Sequence, residues 1–403
     1  MLKQRERHLE NLISWREKQI IKVVTGVRRC GKSTLFSLYQ EYLKSDGVGE
    51  EQIISINLED IEHEELLDYQ SLYYYVQERL CKGKFTYVFI DEVQQCAGFE
   101  KTMDSLFIKE NVDVYVTGSN AHMLSGELAT LLSGRYVEIR MLPLSFAEYI
   151  EFTGERGNLK QQFNEYMKKG SFPYVANIQG TEANVREYMN GIYNTILVKD
   201  IAHRVGITDI TVLENIVKFL SSSIGSPISA KKISDTMQSS GRKISVNTVE
   251  KYMRALTESF IFYKVDRFDI KGRQNLKTLG KYYIVDTGLR RMLTDTSSSD
   301  LGHLLENIVY FELIRRGYKV NIGKLADKEV DFVVQGERGM AYYQVSASVL
   351  DENTLKRELL PLQKISDSYP KILLTLDEIM SDSNYGGIHQ LNVLDWLLED
   401  TIL

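Results

Sequence analysis

Cysteine is scarce in this chain. Its 403 residues hold three, Cys30, Cys81 and Cys96, an odd number whose spacing suits neither a disulfide framework nor a zinc site. Long apolar runs are missing too: no eighteen consecutive apolar residues occur, which excludes a membrane-crossing helix. The opening Met1-Leu2-Lys3-Gln4-Arg5-Glu6-Arg7 lacks the apolar segment of a signal peptide. A cytoplasmic protein with no membrane partner is therefore expected. Excess positive charge is lacking as well; the formal charge of -6 predicts solubility rather than indiscriminate binding to polyanions. The average hides an asymmetry, because residues 231–291 carry fourteen Lys/Arg against six Asp/Glu, a local +8 that leaves -14 elsewhere.

What is present begins with Ile20-Ile21-Lys22-Val23-Val24-Thr25, an apolar run that enters Gly26-Val27-Arg28-Arg29-Cys30-Gly31-Lys32-Ser33-Thr34. A strand, a loop of the form G-x-x-x-x-G-K-[ST] and then Leu35, Leu38, Tyr39, Tyr42 and Leu43 at helical spacing make a phosphate-binding loop in its required context. Backbone N–H groups from Gly26 to Thr34, through Arg28, Arg29 and Cys30, would cradle phosphate at a helix N-terminus. Lys32 would reach the β- and γ-phosphates of ATP, and Ser33 would ligate Mg²⁺. Cys30 reads as a passive small residue of the loop.

A second apolar run, Ile53 to Leu58, predicts another strand. The next strand, Tyr87-Val88-Phe89-Ile90, ends in Asp91-Glu92, a pair in which the first carboxylate can hold Mg²⁺ and the second can orient or deprotonate water. The strand at 112–117 ends in Thr117-Gly118-Ser119-Asn120, where Ser119 or Asn120 could sense the γ-phosphate or the water. Strands alternating with helical spacing predict a parallel sheet with helices on both faces.

These motifs, with Leu128-Ala129-Thr130-Leu131-Leu132-Ser133-Gly134-Arg135 and Leu142-Pro143-Leu144-Ser145-Phe146, resemble a large prokaryotic family of AAA-type (STAND-related) P-loop ATPases. Members of that family carry a C-terminal domain of unknown function similar to restriction endonucleases. The resemblance implies that Asp91 and Glu92 are the Walker B pair and that Arg135 completes a nucleotide site, its own or a neighbour's. It also implies that Gly170-Ser171-Phe172-Pro173, with Ser171 where relatives have glycine, belongs to a helical lid.

Farther on, helical spacing at 213–222, 231–237 and 247–259, followed by β-like runs at 260–265 and 281–285, gives the order of a winged helix. Either Ser245 or Asn247 can cap its third helix. Lys251 and Arg254 on that helix, with Lys271, Arg273 and Lys277 on the wing, are candidate DNA contacts. The last hundred residues place Glu306 on a helix, Asp331 at the start of a strand and Gln344 on the next, the layout of PD-(D/E)XK nucleases. Ser346 stands where the lysine of an active member belongs, so cleavage is not expected.

The expected fold is thus α/β: a P-loop domain over 1–145, a helical lid over 146–205, a winged helix over 206–295 and a degenerate endonuclease-like domain over 296–403. The expected function is that of a Mg²⁺-dependent ATPase coupled to DNA or a protein partner, with a homo-oligomer left open. The alternatives are a slow nucleotide-gated switch and an ATP-controlled nuclease.

Overall fold

A computed structural model describes residues 5–121, 132, 134–154, 157–178, 181–207, 209–294, 300–337, 339–379 and 382–399, without the side chains of Lys277 and Thr278. They fold as two compact units, Met1–Pro143 with Glu258–Phe260, and Leu144–Thr257 with Ile261–Leu403.

The first unit is a parallel sheet of β1 (Ile21–Thr25), β2 (Ile53–Asn57), β3 (Thr86–Asp91), β4 (Val112–Gly118) and β5 (Tyr136–Arg140) in the order β2-β3-β4-β1-β5. Alternation along the strands sorts side chains to two faces. Ile21, Val23, Ile54, Ile56, Val88, Ile90, Val114 and Val116 pack with Leu72 and Val76 of α3 (Tyr69–Glu78) and with Met103 and Leu106 of α4 (Phe99–Phe107). On the opposite face the Phe89 and Tyr115 rings stack at 4.8 Å and meet Phe36 and Tyr39 of α2 (Lys32–Ser45). Each fully buried Val, Leu or Ile stabilises by about 1.5–3 kcal/mol, so the sheet is clamped between its helices. β5 escaped the sequence reading because Glu138 and Arg140 interrupt its apolar signal.

All five strands run in one direction. Their carboxyl ends therefore share one edge, where β4 lies between β1 and β3.

The second unit holds an eight-stranded mixed sheet, ordered β13-β12-β11-β10-β9-β7-β8-β6. Its strands are β6 (Pro227–Ile228), β7 (Phe262–Asp269), β8 (Gln274–Ile284), β9 (Lys319–Leu325), β10 (Lys328–Gly336), β11 (Gly339–Ser346), β12 (Lys371–Thr375) and β13 (Ile388–Asn392). Three helices, Ile210–Ser222, Ala230–Ser239 and Val246–Glu258, precede the β7–β8 hairpin. Ser245, not Asn247, caps the third of these, its hydroxyl accepting from Thr248 N at 3.1 Å. The hairpin is longer than the sequence suggests and carries an irregularity between Val265 and Arg267. β7 also pairs in parallel with β9, so one sheet runs through the stretches that the order of sequence patterns divides at 295.

The Gly170-Ser171 segment is stitched to buried Asp286. That carboxylate accepts from the Ser171 hydroxyl at 2.8 Å and from Leu289 N at 2.7 Å, capping the helix Thr287–Leu293.

Candidate functional site

At the carboxyl edge of the first sheet, β1 delivers the glycine loop. A β-carbon on Gly26 would lie 2.0 Å from the Met141 carbonyl oxygen, so only glycine passes there. Gly31, at φ +104°, turns the chain into α2 without giving its first amides a side-chain cap. Uncapped amides at a helix N-terminus form an anion site. Arg29 also adopts a left-handed conformation and is exposed, as are Ser33 and Thr34. Cys30 is buried, and burial pushes its thiol up, which makes it chemically quiet. Arg5 braces the loop from outside, donating to the carbonyls of Leu142 at 2.7 Å and Cys30 at 3.3 Å.

Lys32 is buried, with its ammonium 3.0 Å from Gly26 O, 3.3 Å from Val27 O and 3.6 Å from Glu92 Oε1. The ends of β3 and β4 are tied by Thr117, whose hydroxyl donates to Asp91 and accepts from Glu92 N at 2.9 Å. Ser33 also hydrogen-bonds to Asp91. Glu92 sits in a left-handed conformation (φ 53°, ψ 50°), a strain of about 1–3 kcal/mol of the kind that gathers at functional sites. Its carboxylate accepts from Ser119 at 2.9 Å and from Gln94.

The two acids are pulled apart electrostatically. Burial raises Asp91, and the Glu92 charge adds to the rise; the Ser33 and Thr117 hydroxyls and Lys32 only partly oppose it, so Asp91 ends above its ordinary value. Burial also works to raise Glu92, but the Lys32 charge, the bonds from Gln94 and Ser119 and the Arg28 charge outweigh it. Glu92 ends below its ordinary value.

The structure brings together Lys32, Ser33, Asp91, Glu92 and Ser119, with buried Asn120 beside them in sequence. It does not bring Arg135. That residue precedes β5, at the sheet edge away from the loop, because Thr25 pairs with Arg140 while Ile21 pairs with Tyr136. Five residues at about 3.3 Å each put some 16 Å between the ends of the strand. Arg135 instead pairs with Asp104 and lies over the Phe107 ring, away from its own chain's glycine loop. Of the surrounding motif, residues 128–131 and 133 lie outside the described residues. Thr117 and Gln94 stand in the runs that end β4 and follow β3, where the sequence gives neither a role of its own; Arg5 left no signal there.

In the second unit Glu306, Asp331 and Gln344 do share one cluster, and Lys281 of β8 joins it. The Lys281 ammonium lies 2.9 Å from Glu306 and 2.8 Å from Glu329. Burial opposes its charge, yet Glu306, Asp331 and Glu329 together hold it above its ordinary value. Tyr283 donates to Glu306 at 2.6 Å, Val345 N to Asp331 at 2.9 Å and Gln344 to Glu358 at 2.8 Å. Burial, then the Glu306 charge, raise Asp331 well above the usual carboxylate range. Among the described residues no three His, Cys, Asp or Glu are arranged to hold a metal ion. Ser346 bonds to the Ser348 carbonyl at 3.0 Å.

Lys251 and Arg254 are exposed on the third helix while Val249, Tyr252, Met253 and Leu256 are buried. Lys271 and Arg273 are exposed at the hairpin turn, and the Lys277 side chain lies outside the described residues.

Residues 18–150 match the family model of the AAA domain, and residues 160–300 match that of a domain of unknown function (DUF8612). Residues 301–403 lie beyond both. An uncharacterized protein of Haemophilus influenzae is 39% identical over 399 residues, 98% of each chain. Uncharacterized protein MJ1544 of Methanocaldococcus jannaschii is 29% identical over 368 residues, 85% of this chain and 78% of that one. The solved structure of the Walker-type ATPase PABY2304 of Pyrococcus abyssi is similar with a TM-score of 0.51 at 13% identity, over 72% of this chain and 96% of that one, a likeness of fold. No helix among the described residues is long and apolar enough to cross a membrane.

Proposed function

Since the chain belongs to one family with the Haemophilus influenzae relative, which it matches over 98% of each chain, and its residues 18–150 match the AAA domain, we propose that its first unit binds and hydrolyses ATP. The observation that carries this is Lys32, a buried ammonium placed between the loop carbonyls and Glu92 at the uncapped start of α2. The amides of residues 26–34 hold the phosphates, and Lys32 neutralises them. Ser33 and Asp91, a hydroxyl and a carboxylate, fit a Mg²⁺ held by few protein oxygens plus substrate, which when bound would offset phosphate charge. Glu92, kept ionised and fixed by Gln94 and Ser119, orients the attacking water. Its lowered basicity suits that role better than outright deprotonation.

Lys32→Ala should weaken ATP binding by about 100-fold or more, on the order of 2.7 kcal/mol. Glu92→Gln should retain ATP while phosphate release falls at least about tenfold. Turnover by Glu92→Gln equal to that of the parent would leave only the gated-switch reading.

The second unit, on the same proposal, carries a winged helix (206–295) and a nuclease-like remnant (296–403). The exposed Lys251, Arg254, Lys271 and Arg273 favour contact with DNA phosphates. The carboxylate cluster is a self-neutralised core in which Lys281 serves as counter-ion, which argues against cleavage.

A further inference from the structure

Arg28 and Glu59 come from strands that are not neighbours. β3 and β4 stand between β2 and β1, so at a usual spacing of about 4.8 Å the two strands are some 14 Å apart. Even so, the Arg28 guanidinium reaches the Glu59 carboxylate with both prongs, Nη1 to Oε2 at 3.0 Å and Nη2 to Oε1 at 2.8 Å.

Both residues lie beyond the carboxyl ends of their strands. Asn57, the last residue of β2, is in register with Asp91, and Leu58 N donates to Asp91 O at 3.2 Å. Glu59 follows directly, its own amide held by the Asn57 side chain at 3.0 Å. The pair therefore spans the ends of the two strands that deliver Asp91, Glu92 and Ser119. Arg28 is only 8% exposed and close enough to Glu92 for its charge to be felt there, while Lys32 lies 3.6 Å from the same carboxylate. Glu92 is thus flanked by two cations, both from the phosphate loop.

A bidentate fork fixes the orientation of a guanidinium as well as its position. A cation oriented before substrate arrives stabilises developing phosphate charge without reorganising. We propose that Arg28 is the cation this chain supplies, from its own phosphate loop, to the terminal phosphate of ATP, and that Glu59 is the positioning residue that aims it. This rests on the ATPase reading and deepens it: the arginine of the site is in cis, on the loop itself, and Arg135 is not required for it.

Three variants of the full chain test the proposal: Arg28→Lys, which keeps the charge but loses the fork; Glu59→Gln, which keeps the shape but loses the charge; and Lys32→Ala. Steady-state phosphate release and direct titration with fluorescent ATP and ADP analogues are read together. For Arg28→Lys and Glu59→Gln, kcat should fall at least about tenfold, and directly titrated ATP affinity should fall while ADP affinity stays within about threefold of the parent. The preference for ATP over ADP should shrink, and Glu59→Asp should recover part of the loss. Unchanged kcat and unchanged ATP preference in both variants would overturn the proposal. Equal weakening of ATP and ADP with kcat intact would also overturn it, because the pair would then only shape the loop. ATP affinity untouched in Lys32→Ala would instead sink the nucleotide reading itself, so the two failures are distinguishable.

Discussion

Lys22 occupies a position in the middle of the phosphate-loop strand where alternation alone calls for an apolar residue, and it is buried. Its ammonium pairs with Asp113 and donates to Lys18 O at 2.9 Å; Asp113 accepts in turn from Tyr115 OH at 2.7 Å and Glu17 N at 2.8 Å. Removing one member of such a pair strands the other charge, which costs about 3–5 kcal/mol. Lys22→Met should therefore lower chemical-denaturation stability of the first unit by that amount, and Lys22→Met with Asp113→Leu should recover most of it. A double variant no better than the single one would show that packing, not charge, holds the site. The pairing was illegible in sequence because its partners lie 91 residues apart. The same holds for Arg28 and Glu59, 31 residues apart. By contrast Gly26, Gly31, Lys32, Ser33, Asp91 and Glu92 were legible, since phosphate chemistry demands fixed residue types in contiguous runs that strand geometry then carries to one edge.

Among elements, β8 shows most clearly how a strand can matter beyond its pairing. It sends Lys281 and Tyr283 to Glu306, which lies on the helix Leu301–Arg315. The missing lysine at Ser346 was readable from spacing; the arrival of another ammonium from a strand much earlier in the chain was not. Lys281→Met should leave Glu306, Glu329 and Asp331 repelling one another, with a loss of about 3–5 kcal/mol in the second unit, measured by denaturant unfolding. Neither the parent nor this variant should cut DNA with Mg²⁺ or Mn²⁺. Cleavage by the parent that disappears in Asp331→Ala would refute the counter-ion role. β5 illustrates a different limit: its alternating Glu138 and Arg140 satisfy strand geometry while defeating an apolar pattern.

At the scale of the whole molecule, an acidic chain carries its basic residues concentrated between 231 and 291. If that surface meets DNA phosphates, duplex binding followed by fluorescence anisotropy should weaken steeply as salt rises. Replacing Lys251 and Arg254 by Glu should flatten the log–log salt slope by about two, near 0.9 per lost contact. Undetectable duplex binding at 50 mM salt, on the order of the low end where such contacts are strongest, would remove DNA from the proposal.

The parallel join between β7 and β9 has a consequence for inheritance. Because the hairpin takes its next neighbour from residues after 300, and Lys281 finds its anions at Glu306 and Glu329, the final hundred residues are not a detachable cartridge. A gene truncated there would encode a raw sheet edge and an orphaned ammonium. Fusion or loss in this lineage should thus trade in the complete stretch from 144 onward.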